Sequence, residues 1–283
     1  ALGTSSLANG VGASALGAGS NAFGANSTAI STRSLASGAN TMALGFNASA
    51  TQADGVALGR GAASTGANSY ALGTLAQAKS TQAIAIGNGA VADSNNGGNN
   101  AGQAIAIGAN AYAHSQDSSA TGGNTAIAIG RNSYAELSGV AIGYGTQASQ
   151  GGAVAIGYAA NAKDSASGVA IGDWANATGN NAIAIGHEAV AIKSGIALGY
   201  QAKAPQNGAV ALGWQADATN SASGVAIGDR GMRTPVRTNG AARAMQTEFA
   251  WPSRAVFRQA QRSQSPIHYE AIGDGCFFCA ISG

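Results

Sequence analysis

Charge is the first thing this sequence is short of. Only 9% of its 283 residues are Asp, Glu, Lys or Arg, and the formal net charge is +2. Residues 1 to 228 carry seven Lys or Arg against eight Asp or Glu, a net of −1. No basic footprint for nucleic acid exists there. The chain has 2 cysteines, and both, Cys276 and Cys279, lie beyond residue 228, so no disulfide can brace what comes before. Their C-F-F-C spacing could be a redox pair or half a zinc site, but a second pair and a surrounding βαβ pattern are missing, and the plainer reading is structural or accidental. The 3 histidines, His114, His187 and His268, are scattered, with no partner at ligand spacing. No apolar run reaches 18 residues, which excludes a membrane-spanning helix, and no membrane contact is expected within this fragment. No charged-then-apolar leader opens the chain, which begins in the middle of a unit and is expected to be part of a longer protein. No Ser-His-Asp set and no carboxylate pair stands out. The run NNGGNN (95 to 100) is followed by neither Lys-Ser/Thr nor a helix, so it is no phosphate loop. The aspartate-bearing repeat of calcium-binding β-rolls is missing as well. The chain is therefore read as a non-enzyme that needs no cofactor and no metal.

What the sequence does have is a phrase, Ala-Ile-Gly or Ala-Leu-Gly, that returns throughout. Counting TAIS, where Ser31 takes the glycine slot, there are 16 such phrases between Gly3 and Gly228. The first six steps are 14 residues each, two long steps of 21 and 22 follow, and the rest run from 13 to 15. Periodicity of this kind is the signature of a stacked repeat. Two residues before the marker glycine every unit has Ala, and one residue before it every unit has Ile or Leu. The unit that ends at Gly130 (Ala128, Ile129, Gly130) is repeated by Ala141, Ile142, Gly143 and again by Ala155, Ile156, Gly157. Large and small residues alternate and both faces are apolar, as in a strand covered on both sides. Past the glycine, the residues at three and five positions are Ala, Ser or Thr in the first 15 units, while those around them vary freely. That second strand has one packed face and one in water. Gly and short polar residues mark the turns between.

Two five-residue strands per unit cannot bury an apolar face alone, so the units must stack. The sequence predicts an all-β parallel β-roll, a β-solenoid of about 16 turns of 13 to 15 residues, over residues 1 to 228. A lone roll would expose the doubly apolar strand as a continuous stripe, so several chains must share it around a closed symmetry axis. Because packed sheets usually sit about 10 Å apart, Ile, Leu and Val are expected inside the roll and the invariant Ala at the contact between subunits. The two long steps predict polar loops leaving the roll at about 93 to 103 and 114 to 124. Aromatics recur in one slot directly after the marker glycine: Phe46, Tyr144, Tyr158, Tyr200 and Trp214. Tyr112 and Tyr134 take an outward slot of the second strand. Exposed Tyr and Trp make good partner contacts, so Tyr144, Tyr158, Tyr200 and Trp214 are candidate ligand-contact residues. Shielding of turns and strand ends is the other reading of the same side chains.

NTAIAIGRNS (124 to 133), SGVAIGDWANA (167 to 177) and NSTAISTRS (26 to 34) resemble the head repeat NSVAIGxxS of the trimeric autotransporter adhesins of Gram-negative bacteria, the YadA-like heads. The resemblance covers residues 1 to about 230. It implies a left-handed parallel β-roll homotrimer and a role in attachment to host cells, extracellular matrix proteins or other surfaces, collagen and related ligands among them. It also implies display at the bacterial cell surface, anchored to the outer membrane through parts missing from this fragment. A structural shaft such as a phage fibre shares the need for a long trimeric rod. A lattice-binding, ice-binding-like solenoid would need a row of one residue type, where the outward slots here run through Lys, Asp, Tyr, Asn and Gln. Residues 229 to 283 follow none of the repeat's rules. They hold seven arginines and no lysine against four Asp or Glu, and the segment is left unassigned and is expected to be poorly ordered.

Overall fold

The computed structural model describes residues 1–94, 103–115, 125–219 and 222–229. The chain divides into two units, Ala1–Met245 and Gln246–Gly283. The second unit, with Cys276, Cys279 and His268, lies outside the described residues, and so does NNGGNN.

Every described element is a strand or a turn, and the fold is an all-β parallel β-solenoid. The Ala-Ile/Leu-Gly phrases form one sheet of 15 strands, from Ser14–Leu16 to Val225–Ile227, with Leu2 added by an isolated bridge to Leu16. Neighbours are parallel and in register, phrase on phrase: Ala128 pairs Ala141, and Ala141 pairs Ala155. The second halves of the units form a sheet of 10 strands, from Leu7–Ala8 to Gln147–Ala148, and one of 3, from Asn176–Thr178 to Lys203–Ala204. The bridges Gln147↔Asn161↔Asn176 carry one face across the gap between them. At a strand spacing of about 4.8 Å, fifteen coils stack to roughly 70 Å.

The turns explain why so short a unit can close. Each coil turns twice, and outside the two long excursions each turn uses a residue in the left-handed region. One slot lies five residues before the marker glycine (Asn26, Asn40, Asp54, Asn68; φ 54 to 57°) and the other two residues after it (Asn47, Asn110, Asn132; φ 54 to 57°). Asn and Gly tolerate this conformation best. The marker glycine is required for a second reason. Gly143 has φ +131°, and a Cβ there would lie 2.0 Å from the carbonyl oxygen of Gly157 in the next coil. Ser31 departs from this rule, at φ 100°.

Irregular steps are absorbed locally. Where the step is 13 residues, two left-handed residues follow one another, Leu137 and Ser138 (φ 47 and 65°) or Lys193 and Ser194 (φ 50 and 62°), as in the tight mirror-image turns of hairpins. Where the step is 15, Asn161 or Asp217 turns its Oδ1 onto the N–H two residues on, Lys163 or Thr219, each at 2.9 Å. The side chain captures an amide that would have extended the ladder, and the second strand shrinks there to a single bridge.

The facing of the first strand is the reverse of the sequence expectation. The invariant alanines from Ala15 to Ala226 point into the roll, none more than 4% exposed, with Ala128, Ala141 and Ala155 at 0%. Ile129, Ile142 and Ile156 point out and are half-buried. Among the described residues no fully buried side chain is larger than Thr41 or Thr146. A coil closed by two tight turns brings its sheets closer than those of an ordinary sandwich, so Ala against Ala fills the gap and a larger side chain would not fit. Ser and Thr substitute for Ala where a carbonyl is within reach: Ser20, Ser133 and Thr146 donate to Gly17, Gly130 and Gly143, three residues back (2.8, 2.8 and 3.2 Å).

The long steps also leave the roll later than expected. Val91–Ser94 and Tyr112–Ser115 are paired strands, with Asp93 opposite His114 and Ser94 opposite Ser115. Residues 93, 94, 114 and 115 therefore belong to the sheet. The rest of both excursions, 95–102 and 116–124, lies outside the described residues.

Candidate functional site

Identical slots in successive coils sit directly above one another, so a residue type repeated in one slot becomes a ladder. Tyr144 stacks on Tyr158 with ring centroids 5.1 Å apart and 6° between planes. Tyr158 meets Trp174 edge-on at 5.2 Å and 62°. His187 stacks on Tyr200 (5.2 Å, 7°), and Tyr200 on Trp214 (5.9 Å, 12°). The Arg131 guanidinium lies over the Tyr144 ring at 5.4 Å, a cation–π contact. Tyr144, Tyr158, Tyr200 and Trp214 are each about 40% exposed, and Trp174 is 54% exposed. The structure thus brings together the four candidate contacts in two groups along one edge, and adds Arg131, Trp174 and His187. Arg131 and His187 follow marker glycines, as the four do, but aromatic recurrence in that slot leaves both out. Trp174 stands one residue further on, in the left-handed turn slot (φ 59°), and the aromatic pattern passes over it.

A second, shorter stack lies on the outward face of the second strand. Tyr112 and Tyr134 stack at 5.2 Å and 7°, and Tyr112 meets His114 at 5.8 Å. Tyr134 Oη donates to Glu136 Oε1. Burial, this hydrogen bond and the negative charge of Glu136 push the Tyr134 hydroxyl well above the usual tyrosine range. Burial pushes Tyr112 up too, aided by Asp93 and Glu136. Lys79 pairs with Asp93 across one coil (3.4 Å).

Polar slots form ladders in the same way. Asn26 Nδ2 donates to Asn40 Oδ1 (3.2 Å) and Asn40 Nδ2 to Asp54 Oδ1 (3.0 Å). Gln215 donates to Gln201 (2.7 Å), and Gln201 to Glu188. Among the described residues no three His, Cys, Asp or Glu side chains converge on a metal-sized site. The outward edge is thus an array of exposed rings, amides and a few charges.

The family model for the YadA head domain repeat, two copies long, matches residues 1–20, 8–30, 36–62, 64–90, 100–125, 137–160, 165–189 and 193–216. A comparison with curated proteins finds no match. The aromatic edge from Tyr144 to Trp214 falls within the last three matched segments.

Proposed function

The chain belongs to the YadA head domain repeat family, and from that premise we propose that residues 1 to 228 form the head of a bacterial surface adhesin, a homotrimeric rod that attaches to host cells, matrix proteins or other surfaces. One observation carries the reading: the two outward sides of each coil differ in kind. On the first sheet the outward residue before the marker glycine is Ile or Leu in every coil. The outward residue two positions earlier is Ser14, Thr28, Met42 and Tyr70 in four early coils and Val or Ile in the others. Ile127, Ile129, Val140 and Ile142 are all half-buried in the single chain. Leu16, Leu58 and Ile227 are 47%, 43% and 62% exposed. This carpet is about 70 Å long and two side chains wide, on the order of 500 Å², more than a monomer ordinarily leaves in water. Identical stripes on three chains close on themselves around one axis. The edge beyond the marker glycine stays outside such a trimer, and there the side chains vary and the aromatics gather.

In this reading Tyr144, Tyr158, Tyr200 and Trp214 contact the ligand, and three chains repeat them, so that weak single contacts add through multivalency. The head would be displayed at the bacterial cell surface and held at the outer membrane by other parts of the protein. Sedimentation of the full chain is expected to give three times the 27.3 kDa of one chain. Beads coated with the full chain are expected to adhere to immobilised matrix proteins or cultured cells, and to adhere less when the four aromatics are replaced with serine. A monomer at micromolar concentration, or beads that adhere to nothing, would remove the reading.

A further inference from the structure

A notch opens beside the aromatic edge, lined by Gly145, Gln147, Ala159, Asn161, Trp174 and Asn176 and enclosing about 310 Å³, at the lower end of the range for small-ligand sites. It exists because two consecutive coils carry Gly145 and Ala159 in the left-handed turn slot and the third carries Trp174. The first two leave a floor two coils tall, and the indole walls its end. Asn132 fills the same slot one coil below Gly145. The left-handed conformation belongs to the turn and is shared by Arg33, Leu75 and Gln201 in the same slot of other coils; what is particular here is an indole beside two coils with almost no side chain.

The opposite wall is a column of amides. Gln147, Asn161 and Asn176 sit in register on successive coils. Elsewhere on this protein amides stacked in this way hydrogen-bond to each other, as in Asn26–Asn40–Asp54 and Glu188–Gln201–Gln215. In the notch they do not. Asn161 Oδ1 accepts from the Lys163 N–H (2.9 Å). Asn176 Oδ1 is shielded from solvent and has no donor, so this amide gains by turning to a hydroxyl. Each amide offers both donor and acceptor atoms, and none of the six lining residues is charged.

We infer that this notch is a binding site for a neutral pyranose glycan, the sugar's C–H face resting on the Trp174 indole and its hydroxyls meeting Gln147, Asn161 and Asn176. An indole face paired with bidentate amides suits a ring that is apolar on one side and hydroxylated at its rim. The uncharged lining gives no counter-charge for a sialylated, sulfated or phosphorylated group. The floor ends at Trp174 after two coils, roughly 10 Å, which holds one or two sugar rings and cuts short an extended peptide. The inference rests on the adhesin reading and names the chemistry it would engage: neutral glycans on the surface to which the head attaches.

The test places the full chain on an array of immobilised oligosaccharides ending in neutral glucose, galactose, mannose or N-acetylglucosamine, with sialylated and sulfated counterparts and a triple-helical proline-rich peptide alongside. Binding to at least one neutral sugar is expected, insensitive to salt. It should fall about tenfold or more in Trp174→Asn, which suits the left-handed turn and removes the indole, and in Gln147→Ala/Asn176→Ala, which spares the Asn161 turn. Phe46→Ser, on a distant coil, should bind as wild type, and all variants should keep the strand circular dichroism of the parent. Binding only to acidic glycans, binding only to the peptide, no binding at all, or neutral-sugar binding unchanged in both notch variants would each overturn the site. The bead assay separates this from the broader reading: beads that adhere to cells without any neutral-sugar binding refute the notch and leave the adhesin standing. Beads that adhere to nothing refute both.

Discussion

Ala128 and Ile129 are neighbours in the chain and face opposite worlds: the Ala128 side chain is fully buried inside its coil, and Ile129 lies half-exposed on the outer surface of the same three-residue strand. The coil is held shut by the smaller of the two, and the larger faces outward.

Substitution at the two positions should therefore separate folding from assembly. Ala128→Leu forces extra carbons into a space that holds nothing larger than Thr, at a cost of about 1–3 kcal/mol or more, and the thermal midpoint of the full chain should fall by several degrees or more. Ile129→Ser should leave strand content in place and weaken association, seen as a shift to lower mass in sedimentation at micromolar concentration. If Ala128→Leu melts like the parent, the alanine does not face the interior.

The marker slot offers a test in both directions. Ser31 holds φ 100° where the other coils have glycine, so Ser31→Gly should relieve strain, less the entropy lost on fixing a glycine, for a net gain of about 0.5–1 kcal/mol. Gly143→Ser places a Cβ 2.0 Å from the Gly157 carbonyl oxygen and should be clearly destabilising. Paired thermal melts of the two variants read the opposite signs.

Alkaline titration should report Tyr134. Its hydroxyl pKa is raised in the folded state, so the folded protein keeps a proton that the unfolded chain loses above the ordinary tyrosine value near 10. The stabilisation is complete below that value and declines as pH climbs from there toward the folded value. Tyr134→Phe should flatten this part of the stability profile. An unchanged profile would mean that the Glu136 contact does not persist in solution.

The stacked edge should also contribute stability as well as contact. A double-mutant cycle on Tyr144→Ala and Tyr158→Ala should give a coupling of about 0.5–1.5 kcal/mol. Coupling near zero would assign these rings to ligand contact alone.

Most of the coil was legible from spacing. Invariant Ala before Ile or Leu before Gly marks the strand, the turn and the register at once, and the Ser31 exception was visible in phase. The sense of the strand was not legible. Alternation reports that Ala128 and Ile129 face opposite ways, but both faces are apolar, and period alone does not say which is inside. That depends on the distance between the sheets, set by turns whose left-handed residues (Asn26, Asn47, Ala159) share no single side-chain type. Tyr144, Tyr158, Tyr200 and Trp214 were legible from their common slot, whereas Arg131 and His187, in the same slot, were passed over because only aromatic recurrence was followed there. Trp174 was not legible, because its partner Tyr158 is one slot away and their contact depends on how each turn projects its ring. The strand residues Ser94 and Ser115 were hidden by the polar runs that follow them, since a polar residue at a sheet end looks like the start of a loop.

The hydrogen bonds between coils, such as Gly143 N–H to Ile129 O at 2.7 Å and Gly157 N–H to Ile142 O at 2.9 Å, run along the axis of the stack, and this gives the rod a particular response to tension. Every rung between two coils is of the same kind, so a pull that opens one coil meets a similar resistance at the next. A coil of 14 residues occupies about 4.8 Å of the stack and, once unwound, releases roughly 45 Å of extended chain. A solenoid loaded along its axis would lengthen in uniform steps, and rewind by the same steps when the load subsides.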